Sequence, residues 1–376
     1  MPDALALTLE LIRCPSVTPA DAGCQALIAS RLERAGFLVE RLKYGEVENL
    51  WATRGPVGAP TLCLAGHTDV VPPGPAEHWH TDPWCPTIRD GVLYGRGAAD
   101  MKSGLAAMVT AAEVFTAARP RHSRRIAFLI TSDEEGRAID GTQRVVATLK
   151  ARGERIDWCL MGEPSSELTF GDTIKIGRRG SLSGELTVHG IQGHIAYPQL
   201  ADNPVHRFAP ALAELCARSW DQGNEHFEPT RFQIANIHAA SGAPNVIPGV
   251  LKTRFNLRWS PTQTLEGLKS TVTEVLDRHG LKFSLEWIVA GLPFYTPPGA
   301  LVRAVGAALT AVAGVSPRLS TGGGTSDGRY IAALGSEIVE LGVVNRTIHQ
   351  VNENVRVGDI AILRDCYARI LETLCA

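Results

Sequence analysis

Short apolar runs that alternate with helical patterns are the feature that most constrains the fold of this chain. Residues 61–65, 126–131 and 157–161 are strand-like runs, and residues 103–118 form the clearest helical pattern, which stops before Pro120. This alternation predicts an α/β sheet that is covered by helices. In such sheets, functional side chains gather at the carboxyl ends of the strands.

The pattern changes near Gly180. Strand patterns at 181–189, 232–238, 246–259 and 282–289 and helical patterns at 205–218 and 265–279 follow in a β-α-β-β-α-β order. This order predicts a ferredoxin-like α+β module. The proline-rich segment 293–298 predicts a hinge, after which helices are expected from Leu301 and at 359–374. We therefore predict an α/β protein with one domain at 1–179 plus 294–376 and an inserted domain at 180–293.

Composition and charge narrow the class of protein. The 376 residues are 44% hydrophobic, which is enough for one large core and a second domain, and the net charge of -2 argues against a nucleic-acid partner. Residues 1–13 predict an amphipathic surface helix rather than a signal peptide, because Asp3 stands where such a peptide carries positive charge. No apolar run approaches the roughly 18 residues that span a bilayer. We expect a cytoplasmic protein without a membrane partner.

Eight cysteines are scattered along the chain without a Cys-x-x-Cys pair. Several stand in apolar surroundings, for example Cys63 and Cys159, and they predict reduced core residues rather than zinc ligands or disulfides. Any metal ligands are therefore expected to be oxygen and nitrogen atoms.

Acidic residues and histidines recur just after the strand-like runs or just before the helix at 103–118. The set is His67, Asp69, Asp100, Glu134, Glu135 and Glu163. His349 follows a further apolar run at 338–344 and would supply a second imidazole. Each of these residues alone is more often a solvated loop residue or a helix cap than a ligand. Their occurrence together and in this order predicts a metal centre.

These residue types suit a hydrolase with two adjacent metal ions. Imidazole and carboxylate ligands suit zinc, and two ions can acidify a water and polarise an amide carbonyl. Asp69 is placed to orient the ring of His67 through a hydrogen bond, and Asp100 has two oxygens that would bridge the ions. Of Glu134 and Glu135, one can bind metal while its neighbour takes a proton from water.

Together these residues resemble the metallopeptidase and deacylase family that includes carboxypeptidase G, aminoacylase and acetylornithine deacetylase, and the resemblance covers nearly the whole chain. The ligand set it implies is His67 and Glu163 on one zinc, Glu135 and His349 on the other, with Asp100 as the bridge. It also implies that Glu134 is the general base and that Asp69 orients His67. The implied fold is a metal-bearing α/β/α sandwich with an inserted dimerisation (lid) domain. The implied cofactors are two Zn²⁺ ions per subunit, for which Co²⁺ can substitute.

Longer strings at 66–74, 95–102, 177–181, 322–329 and 345–353 resemble one branch of this family. That branch removes succinate from N-succinyl-LL-2,6-diaminopimelate on the bacterial route to lysine. Because the substrate carries several carboxylates, two-pronged arginines are the expected partners. The candidate contacts are Arg178 and Arg258, with Ser181, Gly324, Thr325 and Asn345 as smaller polar groups.

The inserted domain contributes a second resemblance, at residues 193–198. The family segment carries a histidine that reaches the active site of the neighbouring subunit, which implies a homodimer in which His194 is catalytic. Tyr197 and Asn245 are two further candidate substrate contacts. Relatives tend to have paired asparagines before Val-Ile-Pro, whereas here Pro244 precedes Asn245.

Other functions remain open at this point. Another N-acyl-amino-acid hydrolase, such as an acetylornithine deacetylase, would keep the same metal chemistry. A non-catalytic relative that acts as a binding protein would keep the metals but not turnover, and the intact Glu134 argues against it. A dehydrogenase is suggested only by Gly95-x-Gly97, which lacks the rest of the dinucleotide-binding pattern, and the glycines at 322–324 lack the ending of a phosphate-binding loop.

Overall fold

A computed structural model describes residues 3–376, that is, the chain without Met1 and Pro2. The described residues contain nine α-helices, together with short helical turns at Ala76–His78, Ala98–Lys102 and Pro198–Leu200. The helices are α1 (Ala4–Ile12), α2 (Cys24–Arg34), α3 (Ser103–Ala118), α4 (Thr142–Ala151), α5 (Pro204–Ala217), α6 (Leu265–Arg278), α7 (Ala300–Ala313), α8 (Gly328–Ala332) and α9 (Val357–Cys375).

Strands make up the rest of the regular structure. They are β1 (Leu38–Tyr44), β2 (Val47–Arg54), β3 (Thr61–His67), β4 (Thr87–Arg89), β5 (Val92–Tyr94), β6 (Arg125–Thr131), β7 (Trp158–Met161), β8 (Thr173–Lys175), β9 (Gly177–Arg178), β10 (Gly180–His189), β11 (Gly193–His194), β12 (Arg231–His238), β13 (Val246–Ile247), β14 (Val250–Trp259), β15 (Phe283–Gly291), β16 (Phe294–Tyr295), β17 (Arg318–Ser320), β18 (Glu337–Glu340) and β19 (Asn354–Arg356).

The chain forms two compact units. The first contains the residues up to Gly177 together with Tyr295–Ser320 and Ser326–Ala376, and the second contains Arg178–Phe294 together with Thr321–Thr325. The second unit is thus an insertion in the first, with a five-residue segment added from later in the chain. No sequence pattern signals that added segment.

An eight-stranded mixed sheet organises the first unit, in the order β1-β2-β6-β3-β7-β18-β8-β17. Its centre, β6-β3-β7-β18, is parallel, whereas β1 and β2 are antiparallel additions at one side. All seven residues of β3 are buried, as expected for a strand that is covered on both faces.

Alternate residues of the central strands pack on opposite faces of this sheet. Leu62 and Leu64 of β3 belong to a core cluster that includes α1, α2, α3, α7 and α9, whereas Cys63 and Ala65 are buried outside that cluster. Helices α4 and α8 contact each other, and they contact β6 and β7 respectively. The first unit is therefore an α/β/α sandwich, which confirms the predicted fold class.

Two local predictions differ from the structure. Helix α1 packs into the core against α3 and α9, rather than on the surface, because apolar side chains occur around most of its circumference and five of its nine residues are buried. The prediction for this helix included Met1 and Pro2, which lie outside the described residues. Five of the eight cysteines are buried as predicted, but Cys85 and Cys216 are exposed, the first in a loop and the second on the outer side of α5.

The second unit is an antiparallel sheet in the order β12-β14-β10-β15, with α5 and α6 beside it. Leu182, Leu186 and Val188 of β10 enter a core cluster with the apolar sides of both helices. The first strand of the β-α-β-β-α-β series lies between the third and fourth, which is the ferredoxin-like arrangement that the sequence order predicts. Within residues 3–376, no helix is both long and apolar enough to cross a bilayer.

Candidate metal centre

The predicted ligands of the first unit emerge at one edge of its sheet. His67 is the last residue of β3 and pairs with Thr131, the last residue of the parallel strand β6, while Ala65 pairs with Met161 at the end of β7. Glu134 and Glu135 follow β6 within four residues, and Glu163 follows β7 within two. Parallel strands end at the same edge, so these side chains lie close together.

Asp100 lies between the two histidines. Its Oδ1 is 3.1 Å from His67 Nε2, and its Oδ2 is 3.4 Å from His349 Nε2. The carboxylate is buried, and it belongs to the short helical turn before α3. Each oxygen of Asp100 therefore faces one imidazole, which is the geometry that a bridging ligand between two ions requires.

Two glutamates complete the cluster. Glu135 Oε1 lies 2.9 Å from His349 Nε2, and Glu163 Oε1 lies 3.8 Å from His67 Nε2. His67, Asp100 and Glu135 each present one ligand atom within 4.8 Å of the others. The structure thus brings together the five residues that the sequence predicts as metal ligands.

Asp69 is close to His67, but through a different atom than expected. The ring Nδ1 of His67 lies 2.8 Å from the backbone carbonyl oxygen of Asp69 and 3.6 Å from its carboxylate. The carboxylate instead accepts the backbone N–H groups of Glu134 and Glu135, at 3.3 and 3.1 Å. Because a carbonyl oxygen only accepts, Nδ1 carries a hydrogen and Nε2 is left for a metal ion.

The electrostatics of the cluster follow from its crowded carboxylates. Burial alone would lower the pKa of His67, but the carboxylates of Asp100 and Glu163 raise that pKa well above its usual value. Hydrogen bonds to Asp100 and Glu135 raise the pKa of His349 to about 10. Divalent cations can replace these protons as the counter-charge, so metal uptake by the two imidazoles releases protons.

Glu134 has different surroundings from its neighbour. Burial, and then the negative charge of Glu163, raise the pKa of Glu134 well above its usual value. The buried pair of Asp327 and Arg329, whose Oδ1 and Nη2 are 3.5 Å apart, also influences this carboxyl group. Within residues 3–376 the imidazole of His349 lies 2.9 Å from Glu135 Oε1, and no comparable contact is found for Glu134, so the two neighbouring carboxyl groups differ in their surroundings.

The donor set fits divalent ions of the zinc type. Two imidazole nitrogens and several carboxylate oxygens converge, and the two oxygens of Asp100 face different imidazoles. Such nitrogen and oxygen sets suit zinc and similar ions, whereas magnesium and calcium prefer oxygen alone.

The predicted substrate contacts are divided between the units. In the second unit, Arg178 is buried and donates from Nη1 to the carbonyl oxygen of Gly322 at 3.0 Å, beside Gly324 and Thr325. Ser181 pairs directly with Arg258 across β10 and β14, and its hydroxyl accepts from Asn256 at 3.0 Å. In the first unit, Asn345 follows β18 and donates its backbone N–H to Ser166.

The structure also brings together three predicted residues on an exposed part of the second unit. His194 pairs with Val246 between β11 and β13, its ring lies 5.6 Å from that of Tyr197, and the carbonyl oxygen of Asn245 accepts from Ile195. The three side chains are exposed. The ring Nδ1 of His194 accepts the backbone N–H of Ala196 at 3.1 Å.

Sequence reasoning missed two buried charged residues that support the centre. Asp21 accepts the hydroxyl of Thr68 at 2.7 Å and so holds the end of β3. Lys102 is fully buried, and its Nζ donates to the carbonyl oxygens of Leu11 and Cys14, each at 2.8 Å. The available signal was the place of Lys102 two residues after Asp100, whereas nothing near Asp21 marks it.

Comparison with known proteins identifies the family. Residues 63–373, which include every predicted ligand of the cluster, match the model of peptidase family M20/M25/M40. The chain belongs to this family. Among curated M20/M25/M40 relatives, a succinyl-diaminopimelate desuccinylase of Stenotrophomonas maltophilia (strain K279a) is 58% identical over 374 residues, covering 100% of each chain. A protein of the same name from Acinetobacter baumannii (strain ACICU) is 57% identical, covering 100% of this chain and 99% of its own.

The fold is shared with more distant M20 proteins. The M20 family metallo-carboxypeptidase Sso-CP2 from Sulfolobus solfataricus superposes with a TM-score of 0.85 at 18% identity, covering 99% of each chain. At this identity the likeness shows the fold alone. Together with the ligand geometry of the first unit, membership of the M20 family supports metal binding at this cluster.

Proposed function

We propose that the protein hydrolyses N-succinyl-LL-2,6-diaminopimelate to succinate and LL-2,6-diaminopimelate, as a step of bacterial lysine biosynthesis. The observation that carries this proposal is the likeness to succinyl-diaminopimelate desuccinylases at 57–58% identity over essentially the whole length of both chains. A cytoplasmic location accords with this role and stays a prediction.

The cofactors in this proposal are two Zn²⁺ ions, for which Co²⁺ can substitute. His67 and Glu163 would hold one ion, Glu135 and His349 would hold the other, and Asp100 would offer one carboxylate oxygen to each. When bound, the ions supply Lewis-acid polarisation of the amide carbonyl and acidify a water. The two imidazoles facing separate oxygens of Asp100 support this assignment.

Glu134 is the general base of the proposed reaction. Its carboxylate takes a proton from the attacking water and passes it to the nitrogen of the departing amine, so that the amide carbon–nitrogen bond breaks. Burial and the charge of Glu163 raise its pKa above the usual carboxyl value, which makes the ionised carboxylate a stronger base and supports this role. Asp69 accepts the backbone N–H groups of Glu134 and Glu135, and it thereby fixes the turn from which the two glutamate side chains extend.

Arginines of the second unit bind the carboxylates of the substrate in this proposal. Arg178 is buried and fixed by the carbonyl oxygen of Gly322, and Arg258 lies directly across the sheet from Ser181. The buried hydroxyl of Thr325 has no protein hydrogen-bond partner among the described residues and is available to a ligand. Gly324 lets the ligand approach the backbone, and Asn345 is a further polar candidate contact.

A homodimer completes the proposal, with His194 of one subunit acting in the active site of the other. The exposed apolar side chains around His194 support such a contact, since soluble proteins seldom leave several of them together. They are Ile191, Ile195, Tyr197 and Leu200, which are 57–73% exposed. Tyr197 and Asn245 accompany His194 as substrate contacts.

Steady-state hydrolysis of two substrates by the zinc-loaded protein tests the proposed function. We expect kcat/KM for N-succinyl-LL-2,6-diaminopimelate to exceed that for N-acetylornithine by several decades, about 4 kcal/mol or more at 1.4 kcal/mol per decade. The reverse preference would assign the same metal chemistry to an acetylornithine deacetylase. No hydrolysis of either substrate would favour a binding protein.

A further inference from the structure

Glu353 is a fully buried carboxylate next to the metal centre that has no part in the proposed chemistry. Its side chain is 1% exposed and accepts four hydrogen bonds. Oε1 accepts the backbone N–H groups of Ala99 and Asp100 at 2.8 and 2.9 Å, and Oε2 accepts from Gly97 N–H at 2.9 Å and Arg96 Nη1 at 2.7 Å. One carboxylate thus holds the whole backbone turn that presents Asp100.

The same residue belongs to the segment that presents His349. Glu353 follows His349 by four residues and directly precedes β19, which pairs with β5. Two hydrogen bonds join the ends of this segment: Thr347 Oγ1 donates to Asn354 O at 3.0 Å and accepts the Asn354 N–H at 3.1 Å. Glu353 therefore joins two segments that are some 250 residues apart in the sequence.

The conformation of His349 requires such support. Its φ is 60°, in the left-handed region that non-glycine residues rarely adopt, and Asn352 has a φ of 62°. Residues in this region keep it only when surrounding contacts hold the backbone. Asn352 Oδ1 accepts His80 N–H at 2.7 Å, which fixes the segment on one side, while Glu353 fixes it to the Asp100 turn.

We propose that Glu353 is a positioning residue that sets Asp100 relative to His349, so that the second oxygen of Asp100 and the imidazole can hold the same ion. This inference rests on the two-metal centre proposed above. The ion shared by Glu135 and His349 depends on this link. The ion held by His67 and Glu163 depends less on it, because the parallel strands β3 and β7 place those two ligands.

The substitution Glu353→Gln tests this role with little change of size. An amide has one oxygen in place of two, so its NH₂ group must face either Ala99 and Asp100 N–H or Gly97 N–H and Arg96, all of which are donors. Outer-shell partners of metal ligands typically contribute about 10–100-fold to metal affinity. We expect the second zinc ion to bind about 10–100-fold more weakly, and the first ion to bind as in the wild type.

The measurement is a zinc titration of the metal-depleted full-length proteins against a chelating indicator, with thermal unfolding of each metal-free protein. The control is Glu113→Gln, which also removes an arginine ion pair, because both oxygens of Glu113 accept from Arg31 at 2.8 and 2.7 Å away from the ligand cluster. We expect Glu113→Gln to bind both ions like the wild type, whatever its melting temperature.

Unchanged binding of the second ion by Glu353→Gln would overturn the inference, and so would equal weakening of both ions, which would indicate a general structural role. If Glu353→Gln does not fold, Glu353→Asp gives the same test, because the shorter carboxylate keeps its charge near Arg96 but cannot span both donor pairs. A wild type that binds fewer than two zinc ions would instead refute the two-metal centre, and the inference with it.

Discussion

Glu134 and Glu135 are adjacent residues whose surroundings differ. Glu135 lies 2.9 Å from His349, whereas the pKa of Glu134 is raised by burial and by the charge of Glu163. The carboxylate of Asp69 accepts both backbone N–H groups and so fixes the directions in which the two side chains leave the chain. The different surroundings of these two identical side chains are therefore a property of the turn after β6.

The substitution Glu134→Gln separates proton transfer from metal binding. We expect kcat to fall about 10²–10⁴-fold, since an amide cannot take the proton from water, while zinc content stays at two ions per chain. The measurements are turnover and metal analysis of the same preparation. Glu135→Gln is the matched control, for which we expect loss of zinc as well as turnover. Normal turnover in Glu134→Gln would remove this residue as the base.

The first turn of α3 packs directly on the backbone that presents Glu163. Gly104 lies against the carbonyl oxygen of Gly162, with which a side chain at position 104 would overlap. The contact joins the helix that follows Asp100 to the end of β7. Glycine is needed here because the neighbouring atoms are backbone and cannot move aside as a side chain can.

Replacing this glycine shows how tightly the elements are packed. We expect Gly104→Ala to lower the free energy of unfolding by about 1–3 kcal/mol, because overpacking forces the backbone apart. Gly306→Ala in α7 is the control, since an added methyl there meets nothing within 4 Å, and we expect it to be neutral or stabilising by up to about 1 kcal/mol. Urea denaturation followed by circular dichroism measures both. If the two substitutions changed the free energy of unfolding equally, helix propensity rather than packing would determine the effect at Gly104.

The predicted metal ligands and the exposed His194 belong to different units. The ligand cluster lies wholly in the first unit, whereas His194 lies in the second, on an exposed segment with several apolar side chains. The proposed homodimer with shared active sites would give that segment a role. Each active site would then depend on residues from two chains.

Subunit complementation tests the shared site. We expect His194→Ala and Asp100→Ala to be inactive separately and to recover activity when mixed subunits exchange, because one active site of each heterodimer is then intact. Hydrolysis of the succinyl substrate before and after exchange is the measurement. Asp100→Ala mixed with Glu135→Ala is the control, since neither chain of that pair has an intact metal centre, and it should stay inactive. Failure of the first pair to recover, with exchange verified, would place His194 outside the partner's site.

Local patterns were enough to predict most elements of the fold. The strand-like run 61–65 lies in β3, the helical pattern 103–118 coincides with α3, and the six elements of the second unit occur in the predicted order. These predictions succeed because side-chain periodicity is a local property. The core position of α1 and the exposure of Cys85 were not predicted, because burial depends on which distant segments pack nearby.

The candidate site likewise has features that follow from local patterns and features that depend on distant contacts. The available ligand types and their order after the strands could be predicted from the sequence, because residue identity and strand periodicity are both local. Folding was needed to show that the backbone carbonyl of Asp69 contacts His67 while its carboxylate accepts from the next turn, and that Glu353 accepts from the Asp100 turn. Hydrogen-bond partners are chosen by proximity in space, and the segments that meet here come from opposite ends of the chain.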